Sequence, residues 1–431
     1  MDQSRAKPYL GGYLMTKSNI ARQLEQVQGG TLHAGVDLAL EKNVVVVINE
    51  KAERLDHFSF PQDRGGYDYF LGRLEGLRQK KQASEVVVAM EPSNYFWKLV
   101  ARELEEKGIT YHLVNSYTVK KHREGDQLDR SKDDRRDAGQ IAELSRNGKY
   151  TQTRLQEGEY EEIRQYATVY TQGMRSMQRE RIILWGLVGQ GFPELWQVFK
   201  DLDGGTCQAL MMSCACAAKI RQNTEEAWIA QVRAEFSGKK MYVSKLHQAH
   251  QLAATSIGVK DGLEGIQLAI RLHMVHLRVL QVQLGQVSKA MSGCLKTIPE
   301  APYLLSILGE VSTALFLAEV GDPKRYHAAE QWVKLAGIQP VPNNSGRKQR
   351  SRTPMSHQGR SRMRTLLYFT CLGMIQHDEH FKQIYCELQR RQKNALTKMQ
   401  ALGVLMNKLL HILWALVQNQ TYYNPHFAQS V

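Results

Sequence analysis

Residues 31–49, TLHAGVDLALEKNVVVVIN, decide how the first third of the chain folds. Two short apolar runs stand on either side of a polar Glu41-Lys42-Asn43 step, the pattern of two strands joined by a turn. A third run, RLDHFSF (54–60), follows a second polar break, so three sequential antiparallel strands are expected. Helical periodicity over Tyr67–Gln79 leads to SEVVVAMEP (84–92), whose continuous apolar run reads as a strand buried on both faces. A second helix over Tyr95–Lys107, a strand at ITYHLVN (109–115) and a polar basic segment complete an α/β unit that ends near Lys149. The first 30 residues are polar, Gly-spotted and mildly basic, which suits a flexible leader.

The element order βββαβαβα is that of the ribonuclease H-like, or RuvC-like, fold, expected over residues 31–150. From about Gln156 to Leu295 the strand signals vanish and helical periodicity takes over, with breaks at Gly189–Pro193 and Gly204–Gly205. Its clearest stretch sets Leu263, Ile266, Ile270, His273, Leu277, Leu280, Leu284, Val287 and Met291 at steps of three and four, a heptad seam. A helical coiled-coil insert over 151–295 is therefore expected, with His273 as a register-setting or half-exposed polar residue on the seam. A mainly α region over 296–431 follows, in which an apolar helix gives way to a turn at Gly321-Asp322-Pro323. The fold class is α/β plus α.

With 431 residues the chain is long enough for two or three units, each with its own core. Its formal charge of +14 favours a polyanionic partner, and nucleic acid is the default. The six cysteines show no CxxC pairing and read as reduced core thiols. No signal peptide or membrane span is read. Even the apolar GVLMNKLLHILWALV (403–417) carries Asn407, Lys408 and His411, so a buried or oligomerising helix and a cytoplasmic protein are expected.

Four carboxylates carry the chemistry. Asp37 falls in the middle of the first predicted strand, where an unpaired charge is costly. Glu91 ends the second buried strand, just before Pro92, and the two strands are expected to lie parallel and adjacent. Asp134 and Asp137, in SKDDRRDAGQIAEL (131–144), share one face of a helix start through their i, i+3 spacing. Four such acids repel one another unless cations neutralise them, and hard oxygen donors suit Mg²⁺ or Mn²⁺. Two such ions serve phosphodiester chemistry. The other reading of DxxD is a dipole-favoured helix start within an ion-paired surface. A basic loop at 342–364, PNNSGRKQRSRTPMSHQGRSRMR, contains Arg347, Lys348, Arg350, Arg352, Arg360, Arg362 and Arg364 and no acid, and is the candidate nucleic-acid contact.

GVDLA around Asp37, AMEPSNYFW around Glu91 and KDDRRDA around Asp134 and Asp137 resemble the DEDD transposases of insertion sequences, the bridge-RNA-guided recombinases, which include a DNA invertase of pilin genes. The resemblance continues through LAEVGDPKRYHAAEQWVKLAGIQPVPNNSGRKQR (317–350), MSHQGRSRMRTLL (355–367) and the closing helix, and so covers nearly all but the leader. It implies a C-terminal transposase domain in which Ser345 is a nucleophile that becomes joined to DNA. It also implies sequence choice by a noncoding guide RNA, and a composite site in a homodimer or tetramer held partly by the helical insert. The chain departs from the family at LLSILGEVSTA (304–314), where a single Gly309 and the acidic Glu310 replace a Gly-rich phosphate-gripping turn. Three readings stand: an RNA-guided transposase, a RuvC-type metal-dependent junction endonuclease in which water is the nucleophile, and a non-catalytic nucleic-acid-binding scaffold.

Overall fold

A computed structural model describes residues 30–92, 95–126, 133–151, 155–341, 344–345, 348–349 and 354–424. The chain divides into two compact units, one ending at Leu155 and the other beginning at Gln156.

The first unit is built on a five-stranded sheet. Its strands are β1 (Thr31–Asp37), β2 (Lys42–Ile48), β3 (Arg54–Pro61), β4 (Glu85–Met90) and β5 (Tyr111–Leu113). The order across the sheet is β3-β2-β1-β4-β5. The β1–β2 and β2–β3 pairs are antiparallel, and the β1–β4 and β4–β5 pairs are parallel. Helix α1 (Arg64–Lys80) crosses from β3 to β4, and α2 (Phe96–Glu106) from β4 to β5. Central β1 and β4 are buried along almost their whole length, which explains why their sequences are continuous rather than alternating apolar runs. On one face, Phe60 stacks on Phe70 of α1 at 4.5 Å within a core that includes Val36, Val88, Val100 and Leu104.

Two features of this unit differ from the sequence reading. Asp37 is the last residue of β1 and half-buried, not central in a strand, because the chain leaves the sheet at Leu38 and is solvent-exposed by Ala39 and Leu40. The polar basic segment after β5 contains a helix, α3 (Ser116–Asp126), ahead of α4 (Asp134–Arg146).

The second unit is almost wholly helical. Helix α5 (Gly158–Gly191) ends at the expected break and is followed by a 3-10 turn at Pro193–Gln197. Short helices α6 (Gly205–Ser213), α7 (Ala217–Ile220), α8 (Glu225–Ala234) and α9 (Val243–Ala254) come next, and then α10 (Leu263–Leu295) returns along α5. The pair is antiparallel: Gly191 sits by Ile266, Gly173 by Leu284, and the Cys294 thiol by the Glu159 carbonyl. Ile270, Leu277, Leu284 and Met291 of the seam are buried. His273 is half-buried and bonded across to Glu180 of α5.

One core joins Ile163 of α5 and Met291 and Leu295 of α10 to helices α11 (Ala301–Leu305), α12 (Glu310–Val320), α13 (Ala329–Ala336), α14 (Ser361–His377), α15 (Glu379–Arg390) and α16 (Lys398–Asn419). The insert and the C-terminal region thus share apolar contacts. Helix α16 is long and apolar enough to cross a membrane by length and composition. Its Leu405, Leu409, Leu410 and Leu413 are nevertheless fully buried in this core, as the reading of a core helix requires.

Candidate active site

The sheet register puts the first two acids together. Parallel β1 and β4 are aligned so that Val36 pairs with Met90, and one residue beyond that pair come Asp37 and Glu91, both half-buried. They leave the sheet side by side at its carboxyl edge, the edge where open α/β sheets receive ligands.

Helix α4 brings the other two. It runs antiparallel to β1: Ser145 near its end lies 3.5 Å from His33 at the start of the strand, while Ala138 and Ala142 lie over Gly35. The start of α4, with Asp134 and Asp137, therefore stands at the Asp37 end. The approach is that of backbone to backbone. A Cβ at Gly35 would lie 2.0 Å from the carbonyl oxygen of Ala138 and 2.5 Å from the Ala142 nitrogen, so only glycine lets the helix sit this close.

Asp133, not Asp134 or Asp137, is the cap of α4. Its carboxylate accepts a hydrogen bond from the backbone N–H of Arg135 at 3.1 Å. With that duty filled, Asp134 is exposed and Asp137 is buried, only 7% of its surface remaining accessible. Among the described residues neither Glu91 nor Asp134 forms an ion pair. The positive end of the α4 dipole adds field of the sign that carboxylates need. An all-carboxylate donor set on two strand ends and a helix start fits a hard divalent cation. Among the described residues, however, no three of the four acids have oxygens within 4.8 Å of one another; Glu180, His273 and His276 are the group that does.

Behind the acids is a buried polar network that the sequence did not single out. Ser145 Oγ lies 2.8 Å from His112 Nδ1 and 3.5 Å from His33 Nδ1, and His112 stacks on Tyr150. All three of His33, Ser145 and His112 are essentially inaccessible. Burial, helped by the nearby Arg146 guanidinium, holds the His33 imidazole down at about 4, so it is neutral near pH 7. The network ties β1, β5 and α4 together and fixes the helix along the strand. Its members are 33, 112 and 145, too far apart in sequence for any spacing rule to connect.

In the second unit, Ser345 lies in a short hairpin rather than a bare loop. Strand β6 (Asn344–Ser345) pairs antiparallel with β7 (Lys348–Gln349), setting Ser345 opposite Lys348. Arg347, Arg350 and Arg352 lie outside the described residues. Arg360 donates to the Glu319 carbonyl, and its guanidinium also faces the Glu319 carboxylate at 3.8 Å. Arg364 donates to the Ala336 and Gly359 carbonyls at 2.9 and 3.1 Å. These two guanidinium groups fasten α14 to α12 and α13. Arg362 is exposed, and among the described residues its guanidinium makes a single 3.5 Å contact, to the Thr168 hydroxyl.

Comparison with known proteins matches two stretches of the chain, the first of which continues past the end of the first unit into α5. A DEDD-type family model described as "Transposase" matches residues 34–193, beginning in β1 and passing through all four acids. A second, described as "Transposase IS116/IS110/IS902 family", matches residues 304–386, which include Ser345. The chain belongs to the IS110-type DEDD transposase family. Among its relatives are a "Probable family 20 transposase" of Pseudomonas aeruginosa, 24% identical over 35% of this chain and 44% of that protein. Another is the "Insertion element IS900 uncharacterized 42 kDa protein" of Mycobacterium paratuberculosis, 25% identical over 42% of this chain and 47% of that one. The chain thus spans about half the length of the curated relatives it matches.

Proposed function

We propose that this chain is a recombinase that cuts and rejoins the DNA strands of an insertion sequence, with Asp37, Glu91, Asp134 and Asp137 as its metal-binding acids and Ser345 as its nucleophile. The observation that carries the reading is the meeting of two parallel strand ends and one helix start at a single sheet edge, each contributing acid. The strand order β3-β2-β1-β4-β5, with the first acid on the central strand, supports a RuvC/RNase H-like assignment. Mg²⁺ (or Mn²⁺) held by the four acids would supply charge neutralisation at a scissile phosphate.

Ser345 Oγ would form a phosphodiester with one strand end as the P–O bond to the adjoining nucleotide breaks, and the released hydroxyl takes the proton. Attack by another strand's hydroxyl reverses the step, so no energy source is consumed. Arg347, Lys348, Arg350, Arg352 and Arg362 would neutralise backbone phosphates, while Arg360 and Arg364 would hold the loop's C-terminal anchor. A noncoding guide RNA of the element would choose the sequence; the net charge of +14 suits two polyanionic partners.

A homo-oligomer is supported by α10. Leu268, Leu272, Val275, Val279 and Val282 repeat at steps of four and three along the helix and are all exposed, a second apolar seam beside the one that packs on α5.

The test is trapping. Native protein mixed with DNA carrying the element ends and quenched in detergent should yield a DNA–protein adduct, lost in Ser345→Ala. Cleavage without an adduct, surviving Ser345→Ala, would mean that water is the nucleophile, as in a junction endonuclease. Recombination unchanged in Asp37→Asn would mean a scaffold.

A further inference from the structure

We propose that Glu180, His273 and His276 form a second metal site, for a borderline divalent ion of which Zn²⁺ is the best match, clamping α5 to α10 near the middle of the helix pair. Glu180 comes from α5 and the two histidines, at i and i+3 on one face, from α10. Glu180 Oε2 lies 2.6 Å from His273 Nδ1, and Oε1 lies 3.9 Å from His276 Nδ1. All three ligand atoms fall within 4.8 Å of one another.

Zinc bonds of about 2.0–2.2 Å in a tetrahedron set neighbouring ligand atoms roughly 3.3–3.5 Å apart. The observed spacings bracket that value, so small side-chain rotations would gather the three atoms around an ion. Two imidazoles and one carboxylate are softer than the four acids of the first unit and favour Zn²⁺, Co²⁺ or Ni²⁺ over Mg²⁺. His276 retains 64% of its side-chain exposure, which gives the ion a route in and leaves water the open coordination position. The site also accounts for an imidazole at position 273 of an otherwise apolar seam, because the seam there serves a cross-helix bond in place of packing.

The experiment is Zn²⁺ titration of the full-length chain, stripped of metal, against a chromophoric chelator with Mg²⁺ in excess to occupy the acids. One site is expected whose affinity falls about a hundredfold in His276→Ala, a change on an exposed residue that leaves the fold intact. Glu180→Gln and His273→Gln should weaken it similarly, and Co²⁺ should give visible d–d bands with no thiolate charge transfer. Equal Zn²⁺ affinity in His276→Ala, or a thiolate band that places the ion on a cysteine, overturns the proposal.

Discussion

Gly35→Ala tests how the acids are assembled without touching any of them. The added methyl would lie 2.0 Å from the Ala138 carbonyl oxygen, whereas ordinary contact begins near 3.4 Å, so α4 must withdraw by more than an ångström. Asp137 and Asp134 travel with it while Asp37 and Glu91 stay on the sheet. Misplacement of that size costs on the order of a hundredfold in rate. Overpacking at a buried backbone contact costs about 1–3 kcal/mol, a Tm loss of roughly 2–4 °C for each kcal/mol in a unit of this size. Mg²⁺-dependent nicking of DNA carrying the element ends, measured beside thermal unfolding, reads both quantities. A variant that melts several degrees lower yet nicks at the native rate would refute the claim that α4 seated on Gly35 positions the acids.

Three further outcomes are expected. The depressed His33 imidazole leaves the folded state with fewer bound protons than the unfolded state between about pH 6.5 and 4. Stability should therefore be full above 6.5 and fall by about 3 kcal/mol as pH drops through that window; denaturant titrations of native and His33→Asn proteins check this, the variant showing a flatter profile. Asp133→Ala should lower stability by about 1 kcal/mol through loss of the α4 cap while retaining cleavage, whereas Asp137→Asn should abolish cleavage. Both are read by nicking and melting assays. The paired changes Leu272→Glu and Val279→Glu should turn an oligomer into monomers by light scattering; unchanged mass would remove the exposed α10 seam from the interface.

The parts of this fold that were legible in sequence are those where burial alone dictates residue type. Val86–Met90 can be a two-sided buried strand and little else, and Glu91 at its end followed directly. Asp37 was misplaced toward mid-strand because Leu38 and Leu40 prolong the apolar pattern past the point where the backbone leaves the sheet; Leu40 is exposed. Helix α3 was missed because Lys120, Lys121, His122, Arg123 and Glu124 offer no apolar stripe for periodicity to register. The role of Gly35 depends on which helix later packs against it, a fact about residues 138 and 142 that no local pattern contains. The same holds for Arg360 and Arg364, which read as free phosphate contacts within a basic run but find carbonyl partners once α12 and α13 are folded beside them. A net charge of +14 gives the expectation of a polyanionic partner; tertiary structure shows which of the described cations are already held by protein groups.

The central claim, that three separate segments converge on one metal-binding edge, is tested most directly by replacing Mg²⁺ with Fe²⁺ and generating hydroxyl radicals with ascorbate and peroxide. The polypeptide should be cut near Asp37, near Glu91 and near Asp134–Asp137 together, with all three cuts suppressed by excess Mg²⁺ and lost in Asp37→Asn. Cuts at only one of the three segments, or only around Glu180 and His273, would contradict the account.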